Sequence, residues 1–259
     1  MTKKPKWVVE KERSRRAEAQ ATVWLFGLHA VRDALENPAR EKVQLVVTRN
    51  ARDRLGAIVD SATCEVVDAD PRKFPAPLDP GSVHQGVALE VRPLDWGRLD
   101  DIAATGTGPI VALDRVTDPH NVGAILRSAE VFGARAVIAP SRHSAPETGA
   151  LAKTASGALE RQPYLRVGNL SDTLITLQKM GYVCLGLDGT ADVDLTDAVG
   201  DAAGRPLCLV LGAEGPGLRE RTRETCDTLV RIDAAGAFGS LNVSNAAAVA
   251  LFAAARAGS

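Results

Sequence analysis

Residues 110–132 read IVALDRVTDPHNVGAILRSAEVF. Ile110–Leu113 is a short apolar run of strand character, and Val122, Ile125, Leu126, Ala129 and Phe132 follow at helical spacing, which predicts one core-facing stripe. Asn121 sits where an N-cap belongs. The same strand-then-helix unit recurs downstream. Strand-like runs at Ala136–Ala139, Tyr182–Leu187, Leu207–Leu211 and Leu229–Ile232 alternate with helix-like runs at Ala150–Leu159, Leu170–Met180, Leu218–Thr225 and Val243–Arg256. Such alternation predicts an α/β fold with a mainly parallel sheet covered on both faces. Ligands of such sheets bind beyond the carboxyl ends of the strands.

Upstream lies a smaller α/β unit over 22–92. Val23–Gly27 reads as a strand, Leu28–Leu35 as a helix stopped by Asn37-Pro38, Val43–Thr48 as a strand, and Asp53–Val59 as a helix. Cys64–Val67 and Gly86–Val91 read as further strands. Residues 93–108, PLDWGRLDDIAATGTG, mix proline, glycine and threonine with few large apolar residues and read as the linker to a second domain over 109–259.

The 259 residues are 45% hydrophobic and 24% charged with a net charge of −1, which excludes wholesale disorder and a whole-chain basic footprint. Residues 1–21 differ: seven Lys and Arg against three Glu make a tail of +4, able to touch phosphates or simply to be solvated. No run of apolar residues is long enough to span a membrane, and the start lacks the apolar core of a secretory signal. Cys64, Cys184, Cys208 and Cys226 form no C-x-x-C pair, and with four scattered histidines no metal-ligand spacing is visible. Free thiols point to a reducing, cytoplasmic setting.

Three segments carry the candidate chemistry. In the first, small residues Gly123 and Ala124 share a helix face with Arg127 and leave room for a ligand beneath its side chain; a capped helix with a surface arginine is the plainer reading. The second, LVLGAEGPGL over 209–218, crowds glycines and Glu214 at the end of a buried strand. It is neither a Walker A loop nor a dinucleotide fingerprint, and it reads equally as a tight strand-to-helix turn. The third, IDAAGAFGSLNVSN over 232–245, gathers polar side chains and backbone amides that suit an adenosine, while Ser240 or Asn242 also suits the cap of the last helix.

Taken in order, N-x-G-x-x-x-R-S, L-G-x-E-G-x-G and S-L-N-V-S resemble the motifs of the SpoU (TrmH-type) RNA ribose 2′-O-methyltransferases of the SPOUT superfamily, over about residues 109–257. Phe26-Gly27, Ala30-Val31 and His84-Gln85-Gly86-Val87-Ala88 look like the small RNA-binding domain of the bacterial large-subunit rRNA guanosine methyltransferase branch. The resemblance implies S-adenosylmethionine as methyl donor, a C-terminal trefoil knot holding it, and a homodimer with its active site at the subunit interface, acting on RNA and not on DNA. Carried over by motif position, Gly212, Ile232 and Leu241 contact the donor, and Asn121, Arg127, Glu214, Ser240 and Asn242 form the reaction centre. Asp233 stands where the family usually has proline, and Asn245 where a small or apolar residue is common.

The expected reaction is methylation of a guanosine ribose in 23S rRNA. A tRNA ribose methyltransferase, a resistance enzyme acting on another rRNA nucleotide, and a non-catalytic RNA-binding assembly factor are the alternatives. Because arginine stays protonated in proteins, Arg127 is read as an electrostatic stabiliser of the developing oxyanion rather than a general base.

Overall fold

The computed structural model describes residues 21–202, 204–233 and 241–257; the basic tail and Ser240 lie outside the described residues. The chain divides into two compact units, one of residues up to 95 together with Glu147–Lys153, the other of Trp96–Pro146 and the residues from Thr154 on.

In the first unit, β1 (Val23–Phe26), β2 (Lys42–Thr48), β3 (Glu65–Ala69) and β4 (Val87–Val91) form a sheet in the order β1-β4-β2-β3, with only β2 and β3 parallel. Helix α1 (Leu28–Glu36) buries Leu28, Ala30, Val31, Ala34 and Leu35. Its first N–H groups have no side-chain cap of their own; Gln85 Oε1 accepts from Leu28 N at 3.0 Å, which gives the His-Gln-Gly run a structural task. Helix α2 (Arg49–Leu55) starts four residues earlier than the sequence predicts because Thr48 caps it, accepting from Ala51 N. Residues 147–153 join this unit through the buried Arg40, whose Nη1 donates to Glu147 Oε1 at 2.9 Å and to Arg92 O at 2.7 Å.

The second unit is a seven-stranded, wholly parallel sheet: β5 (Ile110–Asp114), β6 (Ala136–Pro140), β7 (Tyr164–Val167), β8 (Val183–Leu187), β9 (Val193–Asp194), β10 (Leu207–Gly212) and β11 (Thr228–Arg231). Their order is β7-β6-β5-β10-β8-β11-β9. Strands β5 and β6 are buried throughout, and β10 in all but its last residue, which is why they read as unbroken apolar runs. The chain runs outward from β5 in one direction, while β8 to β11 fill the other side. The switch point therefore falls between β5 and β10, where such sheets open a crevice. The α/β class and the parallel sheet are as the alternation predicts; β7 and β9 are additional.

Residues 93–108 are not a bare connector. Helix α3 (Leu99–Ala104) lies within them, and Trp96, Leu99 and Ile102 pack on a core of Ile110, Ile138, Leu174, Tyr182 and Val210 among others. Arg135 fixes this helix, donating from Nη1 to Ala103 O at 2.6 Å and to Tyr182 Oη at 2.7 Å. On the other face, α4 (Pro119–Val131) packs against α9 (Val243–Ala257), and α9 against β10; α5 (Gly149–Ala155), α6 (Leu170–Lys179), α7 (Leu195–Asp201) and α8 (Glu220–Thr225) lie between α4 and α9 in the chain. Asn121 is not the N-cap of α4: Asp118 is, accepting from His120 N at 2.9 Å, with Pro119 as the first helical residue. Phe132 also departs from its expected core position. The helix ends at Val131, and Phe132 turns to lie edge-on to Phe252 at 6.0 Å, half-buried.

All four cysteines are free, Cys184 and Cys208 side by side on β8 and β10. Burial, with the neighbouring Cys184 and Asp227, pushes the Cys226 thiol up to about 12, and a hydrogen bond with Cys184 together with burial raises Cys208 well above the usual thiol range. The folded state keeps these protons where an unfolded thiol, ionising near about 8.5, gives them up. Stability is thus full below that pH and falls as pH rises toward 12. The urea midpoint should drop between pH 8 and pH 10, and by less in Cys226→Ala than in the unaltered chain.

Candidate active site

Asp114, the last residue of β5, is fully buried. Its carboxylate accepts from Arg219 N at 3.0 Å and Arg219 Nε at 2.7 Å, which ties the loop after β10 to the end of β5. Gly212 pairs with Asp114 in register. Beyond it the loop folds back on itself: Ala213 N donates to Gly217 O at 3.2 Å and Gly217 N to Ala213 O at 2.9 Å. A Cβ on Gly212 would lie 2.1 Å from the Gly217 carbonyl carbon, so only glycine permits this closure. Gly215 and Gly217 sit at φ 81° and 68°, left-handed backbone that glycine adopts without strain.

The loop carries Glu214 to the starts of α4 and α9. Asn121, buried in the first turn of α4, donates from Nδ2 to Glu214 Oε1 at 3.1 Å. Asn242 donates from Nδ2 to Asn121 Oδ1 at 3.0 Å and also to Glu214 Oε1. Val243 N, at the start of α9, approaches the same oxygen at 3.5 Å, where the positive end of the helix favours a carboxylate. Asn242 caps α9, its Oδ1 accepting from Ser244 N at 2.9 Å and Ser244 Oγ at 2.6 Å. Three predicted site residues from three distant segments thus form one hydrogen-bonded cluster.

The predicted donor-contacting residues meet in one cleft of about 750 Å³. Gly212, Ile232 and Leu241 line it with Glu214 and Asn242, and the loop after β8 adds Asp188 and Gly189. Its walls are otherwise apolar, from Leu187, Leu211, Val230 and Val243, and no lysine, arginine or histidine is among its described lining residues. Asp188, ion-paired to Arg223 and accepting from Thr190 N at 2.8 Å, was not singled out by sequence, nor were Asp114, Arg219 and Ser244. Asp114 alone leaves a trace there, as a carboxylate ending a buried apolar strand.

Arg127 is not part of the cluster. It is exposed on α4 and has no hydrogen-bond or ion-pair partner among the described residues. The helical spacing places it over Gly123 and Ala124, but Asn121 and Glu214 bond to each other and to Asn242 and leave it free.

Gly212→Ala should cost roughly 1–3 kcal/mol through overpacking against the 213–217 turn. Asn242→Ala should cost about 1 kcal/mol through the lost cap. Urea denaturation measures both, and calorimetry with adenosine-containing ligands should show the larger loss of binding in Gly212→Ala.

Comparison with known proteins agrees with this geometry. The SpoU rRNA Methylase family model matches residues 108–252, and the model for RNA 2′-O ribose methyltransferase substrate binding matches residues 24–96. The 23S rRNA (guanosine-2′-O-)-methyltransferase RlmB of Vibrio vulnificus is 40% identical over 240 residues, covering 90% of this chain and 96% of the relative. RlmB of Ralstonia nicotianae is 42% identical over 239 residues, covering 90% and 94%. Among solved structures, the SpoU methyltransferase AviRb from Streptomyces viridochromogenes in complex with AdoMet superposes with a TM-score of 0.77 at 26% identity, over 95% of this chain and 92% of that one. With a family model spanning its second unit and such relatives along nearly its whole length, the chain belongs to the SpoU rRNA methylase family.

Proposed function

We propose that this chain transfers a methyl group from S-adenosylmethionine to the ribose 2′-hydroxyl of a guanosine in 23S rRNA. The observation that carries the reading is the cleft at the carboxyl ends of β8, β10 and β11. It offers apolar walls, glycine-rich backbone and two carboxylates, with no cationic side chain in its described lining. That composition suits a nucleoside bearing a sulfonium charge and disfavours a polyphosphate cofactor, which the two carboxylates would repel. Gly212, Ile232 and Leu241 would hold the donor, largely through backbone groups. When bound it supplies an activated methyl carbon with a good leaving group.

The chain's own residues do the rest. Asn121 and Asn242 fix Glu214 beside the cleft. The guanidinium of Arg127 stabilises charge as it develops on the ribose oxygen, and an adjacent RNA phosphate can relay the departing proton. Ser240, carried over with this group, belongs to the same centre.

The same reading covers the rest of the molecule. Residues 22–92 are an RNA substrate-binding domain, 1–21 a basic arm, and 109–259 the methyltransferase domain. The loops after β8, β10 and β11 converge on one cleft and their strands lie out of chain order, which supports a C-terminal trefoil knot. A homodimer is supported by an apolar patch on α4 and α9: Val131 is 70% exposed, Phe252 54% and Val249 41%. Arg127 lies one turn before Val131 on the same helix face, so a second copy covering the patch would sit beside it and complete the site. Among the described residues no helix is long and apolar enough to cross a membrane. A cytoplasmic enzyme acting on RNA is the setting this reading implies.

Arg127→Ala should lose methyl transfer at least a hundredfold while keeping donor affinity within a factor of two or so, as removal of one transition-state donor does. Labelled donor and 23S rRNA from cells lacking the protein provide the assay, with the modified ribose mapped. Turnover near the unaltered rate excludes the role, and calorimetry without donor binding excludes the reading.

A further inference from the structure

Besides Arg127, four exposed arginines of the second unit, Arg115, Arg142, Arg205 and Arg256, have no side-chain partner among the described residues. Arg205 precedes β10 at the amino edge of the sheet and Arg256 lies near the end of α9, which leaves Arg115 and Arg142 at the carboxyl edge. Arg115 follows β5 directly, and Arg142 lies two residues past β6. Both are exposed, and neither takes part in an ion pair or hydrogen bond, whereas Arg135, Arg161, Arg166, Arg219, Arg221, Arg223 and Arg231 all do. The parallel register Ile110↔Ala136 through Ala112↔Ile138, continued past the strand ends, brings Arg115 level with Ser141. Because Gly212 pairs with Asp114, the same edge of the sheet carries the cleft.

The loops presenting these side chains are held rigid. Ala145 N donates to Val116 O at 3.2 Å and ties the two loops together. Ser141 N donates to Val167 O at 2.7 Å. Arg166 reaches Ala145 O at 2.5 Å and Ser141 O at 3.1 Å, and Tyr164 Oη donates to Ala145 O at 2.8 Å. Arg142 and His143 are left exposed between these anchors. Arg115 and His143 both adopt left-handed backbone, φ 61° and 59°, at a cost of about 1–2 kcal/mol each for residues with a Cβ. Non-glycine residues kept in such conformations by a fixed frame mark sites where the side chain's direction matters.

The charges are segregated. Residues 115–146 contain two carboxylates, Asp118, which caps α4, and Glu130, which pairs with Arg161. The cations Arg115, Arg127 and Arg142 therefore stand uncompensated on the β5–β6 side, while the charged groups among the described lining of the cleft on the β10–β8 side are Glu214 and Asp188, the latter paired to Arg223. We propose that Arg115 and Arg142, presented by the rigid loops after β5 and β6, bind backbone phosphates of the RNA strand next to the target nucleotide. The inference rests on the RNA ribose-methylation reading and adds to it the path of the strand. The polyanion lies along the β5–β6 edge, repelled from the cleft, and its target ribose reaches the boundary where Asn121, Glu214 and Asn242 meet.

The test is a double variant, Arg115→Gly with Arg142→Ala, assayed as the full chain with 23S rRNA across a salt series. Glycine at 115 keeps the positive φ, so folding is retained. Each lost phosphate contact on a single strand should lower the slope of log affinity against log salt by about 0.7, so the pair by about 1.4. KM for RNA should rise about tenfold per arginine at low salt, with kcat and donor affinity unchanged. Arg142→Lys, which keeps the point charge, should retain the slope. An unchanged slope and KM in an enzyme that still methylates RNA overturns this proposal and leaves the methylation reading intact. A fall in kcat alone overturns it as well. Failure of the unaltered chain to methylate RNA brings down both.

Discussion

The site depends on one buried charge. Asp114 lies wholly inside the sheet's edge, where an unpaired carboxylate would cost several kcal/mol, and Arg219 offsets that cost through both its backbone N–H and its guanidinium. The pair does more than neutralise. It fixes the start of the helix after β10 against the end of β5, so the six residues between Gly212 and Arg219 close a short turn. That closure puts the Gly217 carbonyl where a Gly212 side chain would be, and it turns Glu214 toward α4 and α9. Without the tie the turn has no fixed frame, and the Asn121–Glu214–Asn242 cluster has no third member.

How Glu214 is held also matters. Its partners are two neutral amides and a helix N-terminal N–H, not a cation. Hydrogen bonds from neutral donors satisfy the carboxylate's lone pairs while leaving its negative charge in place. An arginine in the same position would cancel it. The cleft therefore keeps a negative wall, while the uncompensated cations gather on the neighbouring strands. A cationic donor and a polyanionic acceptor are thus drawn to opposite sides of one boundary, which is the arrangement a transfer between them needs.

The fold was legible in the sequence where burial is complete. Strands β5, β6, β8 and β10 lie inside a parallel sheet and read as unbroken apolar runs. Strand β7, with Arg166 exposed in its middle, and the two-residue β9 give no such run. Helix α3 was hidden among prolines and glycines, though Trp96, Leu99 and Ile102 carry the apolar spacing that docks it. At α4 the local rule pointed one turn too late: Asp118 takes the cap because Pro119 fits the first helical position, and this frees the Asn121 side chain to meet Glu214. No local pattern joins Asn121, Glu214 and Asn242, which are up to 121 residues apart. Their grouping was available only through resemblance to a family, and Asp188 and Asp114, outside those motifs, went unseen.

The role proposed for Arg127 accounts for its having no partner among the described residues. Paired with Glu214 inside one chain, its guanidinium would be neutralised before any substrate arrived, and the charge needed by the ribose oxygen would be spent in the ground state. Left exposed, the arginine would, in the proposed role, take an RNA phosphate as its counter-ion. The binding energy of the correct substrate would then assemble the reactive arrangement, and interactions strongest in the transition state would not be satisfied beforehand. On that proposal water, which brings no phosphate, would leave the centre incomplete, and a reactive methyl donor could be held in the cleft without being consumed.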